Sequence, residues 1–193
     1  MMSPTESAPI GLAQTPTTAD DPKAVCVRSL QIMADGDLRD FETMIHPEAT
    51  NREAAREPMA SRGKGPAAFY ATALWLRGAF SDLRWDTHEV AADGDLVVVH
   101  GTLSGRHTGP FVHYDGAGAV SQVMPPTGRT FSATHTHWFR HADGKVIEHW
   151  ANRDDLATAR QAGWVPPSPR YLVRMALAKR RARAATNALT IEP

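Results

Sequence analysis

Two histidines stand two residues apart in the stretch FSATHTHWFR, and a third follows across a turn in KVIEHWANRDD, where the chain then presents two adjacent acids. An imidazole exchanges a proton near neutral pH and its nitrogens bind metals, so this grouping suits either acid/base work or a metal site. In a strand, alternate residues share a face. That puts Phe131, Ala133, His135, His137 and Phe139 on one side and Thr130, Ser132, Thr134, Thr136 and Trp138 on the other. The histidine pair therefore lies among apolar neighbours.

What the pair meets across the hairpin depends on the turn in HADGK, because a one-residue slip exchanges the two faces. We favour a three-residue loop, Ala142 to Gly144 with Gly144 left-handed in a bulge, which sets His137 opposite His149 and His135 opposite Ala151. A two- or four-residue loop would present Glu148, Trp150 and Asn152 instead. Three readings of the histidines stay open. In the favoured one they line a pocket and contact or protonate a ligand; in the second they are satisfied core donors without chemistry. In the third they bind a metal with His149 as a further nitrogen ligand, although no carboxylate stands in the same row. Asp154 and Asp155 precede LATARQAG, where an acid caps a helix and suits its positive end.

Other chemistries have no signature here: no P-loop glycine run, no GxSxG elbow and no paired-cysteine motif occur in the 193 residues. Cys26, the single cysteine, sits in KAVCVRSL as one more residue of an apolar helix face. The 21 basic and 21 acidic residues balance, so no global field recruits nucleic acid or an anionic membrane. No apolar run approaches the roughly 20 residues of a membrane span, and the start lacks a signal-peptide pattern. The expected location is therefore cytoplasmic.

The elements that must position these groups are readable in outline. Residues 1–20, rich in Ser, Thr and Pro, are expected to be a disordered leader. Helices are expected at DPKAVCVRSLQIMAD with an Asp21 cap and a Gly36 stop, at DLRDFETMIHP stopped before Pro47, and at GPAAFYATALWLRGAF with Phe69, Ala73, Leu76 and Phe80 as its stripe. From Leu83 the pattern changes to two hairpins, LRWDTHEVAA with LVVVHGTLSGR, and RTFSATHTHWFR with KVIEHWANR, followed by the short helix DDLATARQAG. Residues 107–128, with their glycines and paired prolines, read as a long loop without regular structure. Residues 166–193 form a basic helix and tail. Helices first and strands afterwards predict an α+β domain over 22–165, with helices packed on one face of an antiparallel sheet.

The pieces IHPEATN, GRHTGPF, MPPTGRTFS, FRHADGKVIEHW and DDLATARQAG, in this order, resemble the SnoaL-like polyketide cyclases of the nuclear transport factor 2-like superfamily. The resemblance implies a curved sheet wrapped by helices into a cone, and an apolar pocket for a hydrophobic, carbonyl-bearing ring compound. It implies an intramolecular aldol closure, or a related lyase or isomerase step, by acid/base groups without metal or cofactor. A non-catalytic binding protein on the same fold is the alternative. The family's pocket asparagine falls on Asn51, its polar strand residue on His135 and its histidine on His137, while its catalytic aspartate falls on Ala151, which cannot take a proton. The site expected here has His137 and His135 as the catalytic pair and Asn51, Ala151, His149, Trp150, Phe131 and Phe139 as substrate contacts. The expected partner is a small hydrophobic molecule, and the outer sheet face with Trp138 can support a homodimer.

Overall fold

A computed structural model describes residues 21–189. Helix α1 (Pro22–Asp35) begins where Asp21 accepts the Lys23 N–H and Pro22 supplies the first position, and Gly36 ends it. Helix α2 (Leu38–Met44) carries a capping box between Asp37 and Asp40. Helix α3 (Gly65–Ala79) buries Phe69, Thr72 and Ala73. Its Arg77 donates to the carbonyls of Ile32, Met33 and Gly36, the open end of α1, and so ties two helices together.

The main sheet holds five strands in the order β1-β7-β6-β3-β2: β1 (Ile45–Asn51), β2 (Phe80–Asp93), β3 (Leu96–His107), β6 (Thr130–Ala142) and β7 (Lys145–Arg153). All neighbours are antiparallel except β1, which runs parallel to β7 at the edge. The core lies between α1, α2, α3 and the inner sheet face, built from Cys26, Ile32, Phe41, Ile45, Trp85, Val97, Val99, Phe139 and Val146. Burial pushes the Cys26 thiol up to about 12, so it packs as a small apolar group. Helix α4 (Asp155–Gln161) is capped by Asp154, whose carboxylate accepts the Ala157 N–H at 2.8 Å. The α+β class and the wrapped, curved sheet agree with the sequence reading; residues 1–20 lie outside the described residues.

Three expectations are corrected. First, IHP does not close a helix: Ile45–Asn51 is a strand, and Pro47 is tolerated because an edge strand can do without one N–H. Second, residues 107–128 are not structureless. They contain the hairpin β4 (Phe111–Tyr114) and β5 (Val120–Met124), turned by Asp115, whose carboxylate accepts the N–H groups of Ala117 and Ala119. Helix α5 (Pro169–Leu189) packs on this hairpin: Tyr171 donates to Pro125 O and Arg183 to Val120 O.

Third, the β6–β7 turn has two residues, not three. Asp143 and Gly144 both take positive φ, at 50° and 74°, and Ala142 pairs with Lys145. Alone, that turn would put Glu148, Trp150 and Asn152 beside the histidines. An extra residue on β7 between the pairs His141–Val146 and Arg140–Glu148 restores the face, so that His137 lies opposite Ala151 and His135 opposite Arg153.

Candidate functional site

Strand β6 presents Phe131, Ala133, His135, His137 and Phe139 inward, all buried, as alternation requires. Two neighbours bring the remaining groups. The β7 bulge places His149 on the same face as His137, one pair further along, and the parallel pairing of β1 sets Asn51 beside His149. The result is a hydrogen-bonded row: Asn51 Oδ1 to His149 Nδ1 at 3.0 Å, and His149 Nε2 to His137 Nδ1 at 2.8 Å.

The protons in this row are assigned by its end. Asn51 Oδ1 also accepts the Glu53 N–H at 3.1 Å, which fixes the amide with its oxygen toward His149. His149 must then donate from Nδ1 and accept at Nε2. His137 accordingly donates from Nδ1, and its Nε2 is left with a free lone pair and no hydrogen-bond partner among the described residues. The row therefore ends in a base atom. Because His137 Nδ1 and His149 Nε2 bond one another, they do not converge on a metal, and no cluster of three or more metal-ligating side chains occurs among the described residues.

Apolar walls hold the rings. Trp85 meets His137 edge-on at 5.0 Å and His135 at 6.3 Å; Phe139 stacks near His137 and lies 5.1 Å from His149; Phe69 of α3 approaches His149 at 6.4 Å. The indole has room because Gly101 lies under it: a Cβ at Gly101 would stand 2.6 Å from Trp85 Cζ2. Burial opposes charge on each imidazole, with the Arg153 guanidinium adding to the effect. His135 is lowered to about 4, His149 to about 3, and His137 well below its ordinary value. All three are neutral at pH 7. His135 Nδ1 is buried without a partner.

The other expected contacts divide. Phe139 belongs to this site, and Ala151 faces His137 directly. Phe131 shares the face but sits at its far end, against Phe80 in a second aromatic cluster. Trp150 is corrected: it stacks on Trp138 on the outer face, with Arg52 4.5 Å over its ring, because the bulge gives β7 the opposite alternation from a plain two-residue hairpin. Two clefts of about 460 Å³ flank β4, one toward α5 and one toward α3; the histidines line neither.

Sequence reasoning passed over three charged residues. Glu53 accepts the Ala151 N–H at 3.2 Å and binds Arg153 at 2.7 Å, so a carboxylate from the loop after β1 reaches the position where the strand itself has only a methyl group. Glu57 is buried and bonds the Thr72 hydroxyl of α3. Their signal was the run NREAAREP directly after the pocket asparagine, which reads as an ordinary charged loop.

The comparisons with known proteins agree with this architecture. The family model for SnoaL-like polyketide cyclases matches residues 24–162. The aklanonic acid methyl ester cyclase DnrD of Streptomyces peucetius is 34% identical over 143 residues, covering 74% of this chain and 90% of that protein. The nogalonic acid methyl ester cyclase of Streptomyces nogalater is 32% identical over 129 residues, 66% of this chain and 87% of that protein. The solved structure of TsrD from Streptomyces laurentii superposes with a TM-score of 0.59 at 27% identity, covering 72% of this chain and 92% of that one. With the helix-wrapped sheet and the inward histidines in place, the chain belongs to the SnoaL-like polyketide cyclase family, a group of cyclase-type enzymes on the nuclear transport factor 2-like fold.

Proposed function

We propose that this protein closes a ring in a polyketide ester by an intramolecular aldol reaction, with His137 Nε2 as the base. The observation that carries the reading is the Asn51–His149–His137 row, which leaves one imidazole lone pair free on the buried face. Proton removal from the carbon beside a carbonyl gives an enolate, and its carbon attacks a second carbonyl of the same molecule. The row ends in a neutral amide rather than a carboxylate, and burial keeps the imidazole weakly basic. A weak base matches only an acidic C–H, so the substrate class is a 1,3-dicarbonyl compound whose proton is flanked by two carbonyls. His135 orients a carbonyl oxygen, since its buried Nδ1 has no protein partner. The named substrates of the two relatives, polyketide acid methyl esters, support the same class.

The homodimer and the cytoplasmic location belong to this proposal as well, and the stacked Trp138–Trp150 pair on the outer sheet face supports a subunit contact there. Aklanonic acid methyl ester and nogalonic acid methyl ester serve as probes, with ring closure followed by absorbance and chromatography. The wild-type protein should close at least one of them, and His137→Ala should lower the rate by about 10²–10⁴, the contribution of a positioned proton-transfer group. Unchanged turnover in His137→Ala would remove His137 from the base role.

A further inference from the structure

We propose that Glu57 is the acid of the site, the group that protonates the carbonyl oxygen as the carbon–carbon bond forms. The inference rests on the cyclase reading above and answers a question that reading leaves open. An aldol closure needs a proton donor as well as a base, and the strand position opposite His137 is Ala151.

The geometry comes from three directions. Glu57 follows a 3₁₀ turn (Ala54–Arg56), and its carbonyl is held by the Arg62 guanidinium at 2.8 and 3.0 Å, so the loop that carries it is pinned. Its carboxyl bonds Thr72, which lies one turn along α3 from Phe69, the residue that meets the His149 ring. The charges that act on it are Arg153 and Glu53, and Arg153 acts equally on His135, His137 and His149. Glu57 and the histidines therefore border one space, with Arg153 between them.

The Thr72 hydroxyl indicates which form of the carboxyl is present. It has one hydrogen and lies within reach of both Glu57 Oε2 and Ala68 O. Both contacts are satisfied together only if Thr72 donates to the Ala68 carbonyl and Glu57, protonated, donates to Thr72. Burial, which raises the carboxyl above its ordinary value, acts in the same direction. Glu53 cannot take this role, because its two oxygens are committed to the Ala151 N–H and to Arg153. A neutral imidazole and a neutral carboxylic acid thus stand ready at the same pH, one to take a proton and one to give it.

The step balances without a co-reactant. His137 Nε2 takes the C–H proton, the enolate carbon bonds to the second carbonyl carbon, and that carbonyl's oxygen takes the proton of Glu57. The imidazolium and carboxylate left behind return to neutrality by passing one proton from His137 to Glu57, so the closed ring is an isomer of the substrate.

Two rates separate the parts. In deuterated water with aklanonic acid methyl ester, loss of the acidic C–H reports the base, and ring closure reports base and acid together. Glu57→Gln should keep exchange within about tenfold of wild type and lower closure at least about 10²-fold, whereas His137→Ala should lower both. Wild-type closure matched within tenfold by Glu57→Gln overturns the role of Glu57 and leaves the cyclase reading standing. A wild type that neither exchanges nor closes the ring overturns both. Difference infrared spectra of wild type minus Glu57→Gln at pH 6 need no substrate: a protonated-carboxyl band should be present, and its absence overturns the proposal. Circular dichroism of both variants checks that they fold.

Discussion

Mild acid should destabilise this protein steeply, and the buried histidines set where. In the native state His135 is held near about 4, His149 near about 3 and His137 well below 6.5, because their rings are packed among Trp85, Phe69 and Phe139. In the unfolded chain all three protonate below about 6.5. A group whose folded value is depressed in this way stabilises the fold above the unfolded value and loses that contribution as the pH falls toward the folded one. Each such imidazole is worth about 1.4 kcal/mol per pH unit within that window. Glu57 runs the other way: its raised value makes its contribution full below the carboxylate's unfolded 4.5 and lost as the pH rises. Three histidines against one carboxyl leave a net uptake of about two protons on unfolding, so going from pH 6.5 to 5 should remove about 4 kcal/mol. His107 and His113, also lowered by burial, add to this in the same direction. Against a typical total of about 5–15 kcal/mol, that loss is large. Urea unfolding followed by circular dichroism at half-unit steps from pH 7.5 to 4.5 would measure the slope directly. His135→Asn should reduce the slope by about one proton. A stability that stays flat from pH 7.5 to 5 would refute the argument, since it would mean that the imidazoles take up protons in the native state.

Further tests address the geometry of the site. Ala151→Asp puts a carboxylate directly opposite His137, so the His137 ring should titrate at a higher pH in NMR spectra; an unmoved His137 together with a shifted His135 would restore the three-residue turn. Asn51→Ala removes the acceptor for His149 Nδ1 at a cost of about 1–3 kcal/mol and should alter the nitrogen shifts of His137 as its tautomer is released; unchanged His137 shifts would break the proposed row. Gly101→Ala should drive Trp85 toward the histidines and cost about 1–3 kcal/mol in thermal unfolding, and a neutral substitution would show that the indole can move.

Periodicity made much of this protein legible. The three-four spacing of α1 and α3 and the alternation of β6 depend on neighbours in the chain, so the buried face carrying His135 and His137 could be read directly. The caps at Asp21 and Asp154 are equally local, each a side chain bonding an N–H two or three residues away. Strand β1 was not legible: IHPEATN holds a proline and buries only Ile45 and Ala49, and it is a strand because β7 offers it an edge. The hairpin inside 107–128 gains its stability from α5 and α3, far along the chain. The register of β6 and β7 depended on one bulged residue that no turn rule reveals, and with it went the partner of His137 and the face of Trp150. Glu53, Glu57 and Arg153 looked like solvated charges because their meaning lies in long-range contacts: one carboxylate spans 98 and 100 residues to Ala151 and Arg153. The chain by itself determined which side chains share a face, since that follows from local backbone geometry. Tertiary structure alone decided which of those faces meet, and so joined Asn51, His149 and His137 into a row that ends in a free lone pair.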